Sequence, residues 1–425
     1  MRRLHHSWLF VVLGGVVLAV LAIRIFSFGV FLVPLATEFN WGRGAMSGAN
    51  AVGAPVSAVA AILAGRLSDR YGPRLPVTIF GVVTAAGFIL LSQVESLWQL
   101  YLTLGLLMPI GVACCLFPVM STIPKWFAEK QAMAIGIAMT GFALGAVVWP
   151  PLAQWLITSG GWRQAFLVLG IITAVAAIPI AQFLRHSPER VGLRPYGRAA
   201  PDAGEADPAP VIQGLSLSEA ARTRYFWLWA PILLSFFFVH SVILVHITAY
   251  ALDQGVPAIL AASTLSIIAA ISIFGRLTIG PLSDRVGGVR KVVSGCFVLL
   301  TLALLFLLSG AGSWSFYVFA AVFGLAYGFF IVSETAVPAE LFGVRSLGTI
   351  MATLALFPII GGAVGQTLAG VIYDATGSYQ IPFLVCIALA VLAVVLGLPL
   401  MRSALPPMRL ALPVARPGGA PSGGG

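Results

Sequence analysis

The sequence predicts an all-α integral membrane protein of twelve transmembrane helices, arranged as two pseudo-symmetric six-helix bundles. Three observations carry that expectation. Of the 425 residues, 59% are hydrophobic and only 9% charged, with a mean hydropathy of +1.00. Soluble domains carry about a quarter charged residues; a soluble fold of this length could not hide so much apolar surface, whereas lipid asks for no hiding. The cations gather in short connections between apolar runs, almost all on alternate connections. One loop also occurs twice, as GRLSDRYGPR at 65–74 and GPLSDRVGGVR at 280–290.

A spanning helix needs about 20 mostly apolar residues. In chain order the stretches that qualify are 8–35, 44–64, 75–93, 97–122, 131–158, 163–184, 225–250, 258–281, 290–310, 313–337, 346–372 and 380–402. The start, MRRLHHSWLFVVLGG, has the outline of a signal peptide, but the apolar run continues through Val33 without a small-residue cleavage site, so it reads as an uncleaved first span. Residues 1–184 thus form an N-terminal six-helix bundle. Residues 185–224 are rich in Pro, Ala, Gly and charge and lack apolar periodicity, which marks a linker. A short amphipathic helix is expected at its end, near Leu217–Arg224. Residues 225–402 form the second bundle, and 403–425 read as a disordered tail.

Orientation follows from the cations. With both termini in the cytoplasm, every Lys and Arg falls on the cytoplasmic side except Arg43 and Arg163, which lie outside, and Arg24 and Arg276, which lie within spans. This positive-inside pattern accounts for the net charge of +10 and argues against a nucleic-acid partner. Cys114, Cys115, Cys296 and Cys386 all sit in apolar segments without disulfide or metal spacing. No metal or cofactor is expected. Walker A, H-E-x-x-H and G-x-S-x-G patterns are absent, which removes ATP as a direct driver and leaves no enzyme signature.

The repeated loop matches as G-x-x-x-D-R-x-G: Gly65, Asp69, Arg70 and Gly72, then Gly280, Asp284, Arg285 and Gly287, offset by 215 residues. Near the same offset Lys130 corresponds to Arg345; Gly145, Ala146 and Val147 to Gly362, Ala363 and Val364; and Phe166, Leu167 and Val168 to Phe383, Leu384 and Val385, each preceded by an aromatic, Trp162 or Tyr379. In register along both halves, these matches indicate duplication of a six-helix unit. Glycine permits the tight reversal, Asp69 and Asp284 are placed to cap nearby helix N-termini, and Arg70 and Arg285 suit an anionic leaflet. The loop serves either topology alone or gating, and recurrence of the acid–base pair favours gating. Glycine pairs such as Gly141 with Gly145, and Gly361 and Gly362 with Gly365, allow close helix contact.

These residues resemble the major facilitator superfamily, whose loop signature G-x-x-x-D-R-x-G-x-R is complete at Gly65–Arg74. The second copy departs from it, because Gly288 is extra and Arg290 falls one place late. The resemblance implies that Asp69, Arg70, Asp284 and Arg285 lock the outward-facing state by contacts between the halves, with Arg74 part of the same gating loop. RIFSFGVFLVPLATEFNW at 24–41, KWFAEKQAMAIGIAMTG at 125–141, VHITAYALDQGV at 245–256, GRLTIGPLSDR at 275–285 and GVIYDATGSY at 370–379 are similar to the monocarboxylate-transporter-like branch, including relatives of the oxalate–formate antiporters. That likeness implies a secondary transporter of a small organic anion, driven by proton symport or anion exchange, monomeric and resident in the cell (inner) membrane. The alternative is an efflux carrier for drugs or other amphipathic solutes.

Arg276 leads the candidate residues. A central arginine costs about 2.5–3.5 kcal/mol even on lenient insertion scales, so it should face the interior or a cavity. It has no carboxylate one turn away, since 272 is serine and 280 glycine. A free guanidinium suits a carboxylate, and in the resembled family the eighth-helix arginine binds the substrate anion. Family members that carry an acid four residues earlier use it as a proton site; Ser272 stands there instead. Arg24 is either a second anion contact or a side chain reaching for headgroups. Glu334 is the one acidic residue deep in a span, and is either the proton-coupling group or a fixed ion-pair partner. His246 ranks above His240 as a proton-coupling candidate because it lies in the VHITAY run; a membrane histidine can equally be a hydrogen-bonded packing residue. Asn50, Gln154 and Gln366 are placed either to line a cavity or to bond helices together.

Overall fold

The computed structural model describes residues 2–127, 131–185, 214–310, 312–343 and 346–402, with isolated positions 188 and 196. Its elements in order are α1 (Arg2–Phe26), α2 (Phe28–Phe39), α3 (Arg43–Tyr71), α4 (Arg74–Ser92), α5 (Leu97–Leu100), a π-helical segment (Tyr101–Leu107), α6 (Met108–Thr122), a 3₁₀ turn (Ile123–Trp126), α7 (Gln131–Phe183), α8 (Leu217–Arg222), α9 (Arg224–Asp253), α10 (Ala258–Val286), α11 (Val289–Leu308), α12 (Trp314–Phe342), α13 (Leu347–Leu354), α14 (Leu356–Thr376) and α15 (Gln380–Arg402). Among the described residues the chain is helical throughout, apart from isolated bridges such as Gly214 with Gly343.

Among the described residues, eleven continuous helical stretches are long and apolar enough to cross a membrane. The longest, α7, is two spans merged: Gly161 stands at φ 81°, ψ 165° and turns the chain between them. That conformation favours glycine, and it restores the expected fifth and sixth helices. The expected short helix before the seventh span forms as α8, capped by Ser216 and Glu219 in a capping box. The first span is broken at Ser27, between α1 and α2. Most of the linker, the C-terminal tail, Lys130 and Arg345 lie outside the described residues, as does the side chain of Asp69.

Glycine sets the packing. A side chain at Gly141 or Gly145 of α7 would collide with the backbone of α1 at Gly15 or Ala19. A side chain at Gly361 or Gly365 of α14 would meet the backbone of α9 at Leu234 or Phe238. The same small-residue device thus joins the first span to the fifth and the seventh to the eleventh. In the C-terminal set, Gly275 of α10 abuts Gly328 of α12 in the same manner.

The two repeated loops turn on glycine as well. Gly72 and Gly287 take φ of 83° and 79°, and Gly288 takes 123°. Neither α4, capped by Pro73, nor α11, capped by Gly288, receives a side-chain capping bond. Asp284 is exposed and caps neither helix, and the glycine conformations at 287 and 288 make the second turn. The terminal arginines hold helices within their own set. Arg74 Nε donates to Gln182 Oε1 at 2.7 Å, tying α4 to the end of α7, and Arg290 Nη1 donates to the Leu400 carbonyl at 3.1 Å, tying α11 to the end of α15. Arg290 also pairs with Glu340 at 3.0 Å.

Enlarging a glycine at these crossings should destabilise the fold. Gly145→Leu and Gly365→Leu are each expected to cost about 1–3 kcal/mol or to abolish folding, read as a lower melting temperature in detergent. Gly136→Ala, at a position with open space around it, should leave the melting temperature unchanged.

Candidate functional site

The break at Ser27 places Arg24 in the last turn of α1, where the carbonyl end of a helix favours a cation. Its Nη2 donates to the Leu104 carbonyl at 3.2 Å. That carbonyl is available for a local reason. In the π-helical segment the Met108 N–H goes to Thr103, and residue 109 is a proline with no N–H to give. Leu104 is left short of a helical donor, and Arg24 supplies one. The Arg24 Nε is buried without a partner, and Arg24 pairs with no carboxylate among the described residues.

Arg24 lines a cavity of about 190 Å³ walled by α1, α2, α3, α6, α9 and α14. The wall therefore comes from both sets of helices: Arg24, Asn50 and Ser57 on one side, Ser241, Leu244 and Gln366 on the other. Ser57 donates to the Pro109 carbonyl at 2.9 Å. Asn50 and Gln366 meet across the gap, Asn50 Nδ2 donating to Gln366 Oε1 at 2.7 Å. A cation, two amides and two hydroxyls on otherwise apolar walls make a receptor for a small polar anion.

Arg276 occupies a different place. It lies two helical turns beyond Ala269 on the same face of α10, and Ala269 packs against Ala22, Phe26 and Ala146 of the N-terminal set. The Arg276 guanidinium stands 5.8 Å from the centroid of Tyr327, its Nε is buried without a partner, and it pairs with no described carboxylate. Glu334 lies two turns beyond Tyr327 on α12, within electrostatic reach of the Tyr327 hydroxyl, and carries no hydrogen bond or ion pair among the described residues. His240 stacks on Tyr327 at 4.7 Å. The two in-span arginines do not share the cavity that Arg24 lines.

One end of the molecule is closed by Arg43. Its guanidinium grips Asp253 with two bonds, at 2.7 and 2.9 Å, and donates to the Tyr379 hydroxyl at 3.0 Å. The Tyr373 ring lies 3.9 Å from it. The backbone N–H groups of Arg43 and Gly44, at the N-terminus of α3, both donate to the Asp374 carboxylate at 2.8 Å, an anion placed where helix geometry favours one. His246 is fully buried behind this cluster: Nδ1 is 3.0 Å from the Tyr379 hydroxyl, and Nε2 is 2.8 Å from the Gln366 carbonyl and 3.3 Å from Ser47 Oγ. Hydrogen bonds therefore run from Asp253 through Arg43, Tyr379 and His246 to Gln366, whose side chain faces the cavity.

At the other end, Arg70, Asp284 and Arg285 are exposed and bond to nothing across the gap among the described residues. Gly44 and Gly370 touch backbone to backbone, and beside this contact an apolar groove of about 730 Å³ runs along α3 and α14, from Gly48 and Val371 to Pro55 and Ile359. The structure thus brings together Arg24, Asn50 and Gln366 and leaves Arg276, Glu334 and the repeated loops apart from them. Sequence reasoning treated Arg43 as a topological charge only and passed over Asp253, Asp374 and Tyr379. The pertinent signal was a second arginine at a helix start with acids at two helix ends, but nothing local linked them.

A family model described as Major Facilitator Superfamily matches residues 12–288 and 273–420. The chain is 30% identical over 370 residues to monocarboxylate transporter 11 of Mus musculus, covering 85% of this chain and 79% of the relative. It is 28% identical over 364 residues to monocarboxylate transporter 13 of Rattus norvegicus, covering 84% and 80%. In fold it is similar to a bacterial homologue of the human lysosomal transporter Spinster in an inward-facing, occupied conformation, with TM-score 0.77, 16% identity, and coverage of 94% of this chain and 98% of that one.

Removing one partner from the closed end should loosen it. Asp253→Asn is expected to raise thiol-reagent labelling of a Ser47→Cys reporter by roughly tenfold or more, since breaking a buried ion pair from one side costs a few kcal/mol. The native cysteines are buried. Unchanged labelling would show that Arg43 does not hold this end shut.

Proposed function

The chain belongs to the major facilitator superfamily and is a membrane transporter resembling the monocarboxylate transporters; from that premise we propose that it moves a small monocarboxylate-like anion by alternating access. One observation carries the reading: an arginine unpaired by any described carboxylate, at bilayer depth, in a cavity built from both sets of helices. The insertion cost of such a cation, about 2.5–3.5 kcal/mol, stands uncompensated until an anion arrives. Charge-assisted bonds from the guanidinium to a carboxylate then supply affinity where water is scarce.

In this reading Arg24 is the principal anion contact, and Arg276, on the face of α10 turned to the N-terminal helices, guides the anion along the opening between the sets. The relatives' printed names, monocarboxylate transporters, support the choice of cargo. The Arg43 cluster is the closed gate, and the loops bearing Arg70 and Arg285 belong to the gate that stands open. The basic connections support placing the termini and the open end at the cytoplasm of a cell (inner) membrane. Coupling is to a proton or a counter-anion. Glu334, free of described partners, is the proton-accepting candidate, whereas both ring nitrogens of His246 are engaged in the closed gate.

Arg24→Ala is expected to cut labelled carboxylate uptake into proteoliposomes by at least about thirtyfold, with Arg24→Lys recovering part of it, because truncating a hydrogen-bonded charge costs 2 kcal/mol or more. Arg276→Ala should lower uptake as well while the protein still reaches the membrane. Carboxylate uptake by Arg24→Ala at the wild-type rate would remove the basis of the proposal. Glu334→Gln should abolish accumulation driven by a pH gradient yet spare carboxylate exchange at equal pH; accumulation that persists would exclude Glu334 as the proton site.

A further inference from the structure

We infer that Asn50 and Gln366 form a specificity subsite that selects acids bearing a hydroxyl beside the carboxylate over their oxo or unsubstituted analogues. The inference rests on the anion-carrier reading and adds which carboxylates the cavity prefers. Asn50 and Gln366 face each other across the cavity that Arg24 lines, joined by one bond from Asn50 Nδ2 to Gln366 Oε1 at 2.7 Å. That bond leaves one acceptor, Asn50 Oδ1, buried without a partner, and one donor, Gln366 Nε2, without a bond among the described residues. Turning both amides over exchanges the atoms but leaves the same remainder, one donor and one acceptor. The buried member of that remainder is an acceptor, Asn50 Oδ1, in the orientation in which Asn50 Nδ2 donates, and the subsite's demand for a donor belongs to that orientation.

A hydroxyl meets that demand alone, because it accepts one bond and donates another. A keto oxygen only accepts, so it leaves the amide acceptor buried and unanswered; a methylene answers neither. Small rotations about the terminal amide torsions, which are broad and cheap, bring both groups to a ligand. The other polar groups in the wall do not discriminate. Ser57 is committed to the Pro109 carbonyl, and the Ser241 hydroxyl can turn to suit either a donor or an acceptor. The cavity, of about 190 Å³, has room for a three-carbon acid.

Lactate, propionate and pyruvate share a three-carbon skeleton and one negative charge, and differ only at the second carbon. Isothermal titration of each into the full-length protein in nanodiscs should give lactate an affinity roughly tenfold or more above the other two, from the cost of leaving a buried group unpaired. Asn50→Leu, Asn50→Ser and Gln366→Leu should each compress the lactate-to-pyruvate ratio toward one; should a variant fail to fold, the wild-type order decides alone. Equal affinities, or pyruvate first, in the wild-type protein would overturn the subsite while leaving the carrier reading intact. Binding of none of the three would remove the carrier reading and the subsite with it.

Discussion

A cation shut between helices has to be answered by something other than water, and this chain answers two of its arginines in opposite ways. Arg43 is answered in full, by a bidentate carboxylate, a hydroxyl and an aromatic face. Arg24 is answered by one backbone carbonyl. The first arrangement joins the two sets of helices at one end; the second leaves a guanidinium in a cavity without a described carboxylate partner. The same residue type therefore yields a lock or a receptor, according to whether acids are brought to it.

That contrast explains the rest of the architecture. Asp374 reaches the N–H groups of Arg43 and Gly44 only because α3 and α14 touch backbone to backbone at Gly44 and Gly370. A side chain at either glycine would push the helices apart and pull the carboxylate off the helix N-terminus. Gly29 plays the corresponding part between α2 and α9, where a side chain would meet the Val245 carbonyl. Asn50 and Gln366 follow the touching backbones of Gly44 and Gly370 along α3 and α14, beside the groove that runs on to Pro55 and Ile359. A solute that takes hydrogen bonds from those amides acts on the residue whose carbonyl bonds His246, and so on the inner face of the lock.

Much of this fold was legible in the sequence because its signals are local. Spans follow from apolar runs, the turns at Gly72 and Gly287 from glycine, the short helix α8 from the amphipathic stretch before the seventh span, and the tight crossings from paired glycines. What was not legible is non-local. Arg43 finds Asp253 at a separation of 210 residues and Asp374 at 331, and neither acid stands out among helix-end charges. The break at Ser27 carries no proline, and the free carbonyl of Leu104 depends on a π-helical register that no periodicity announces. Arg276 looked the better anion contact because it lies deep in its span without a neighbouring acid; the cavity containing Asn50 and Gln366 includes Arg24 instead, for reasons of helix breakage rather than depth.

Duplication supplied two similar halves, and the structure shows where they diverged. Arg74 and Arg290 still do the same work, each bonding the end of the last helix of its own set. Trp162 and Tyr379, at matching positions before the sixth and twelfth spans, do not. Trp162 donates to Glu38 within its own set, whereas Tyr379 joins Arg43 of the first set to His246 of the second. The N-terminal helices contribute the cations at the gate and the cavity, and the C-terminal helices contribute the acids, the buried histidine and the bridging glutamine. Cations on one side and acids on the other let one end join by ion pairs while the cavity keeps an arginine that no described carboxylate pairs.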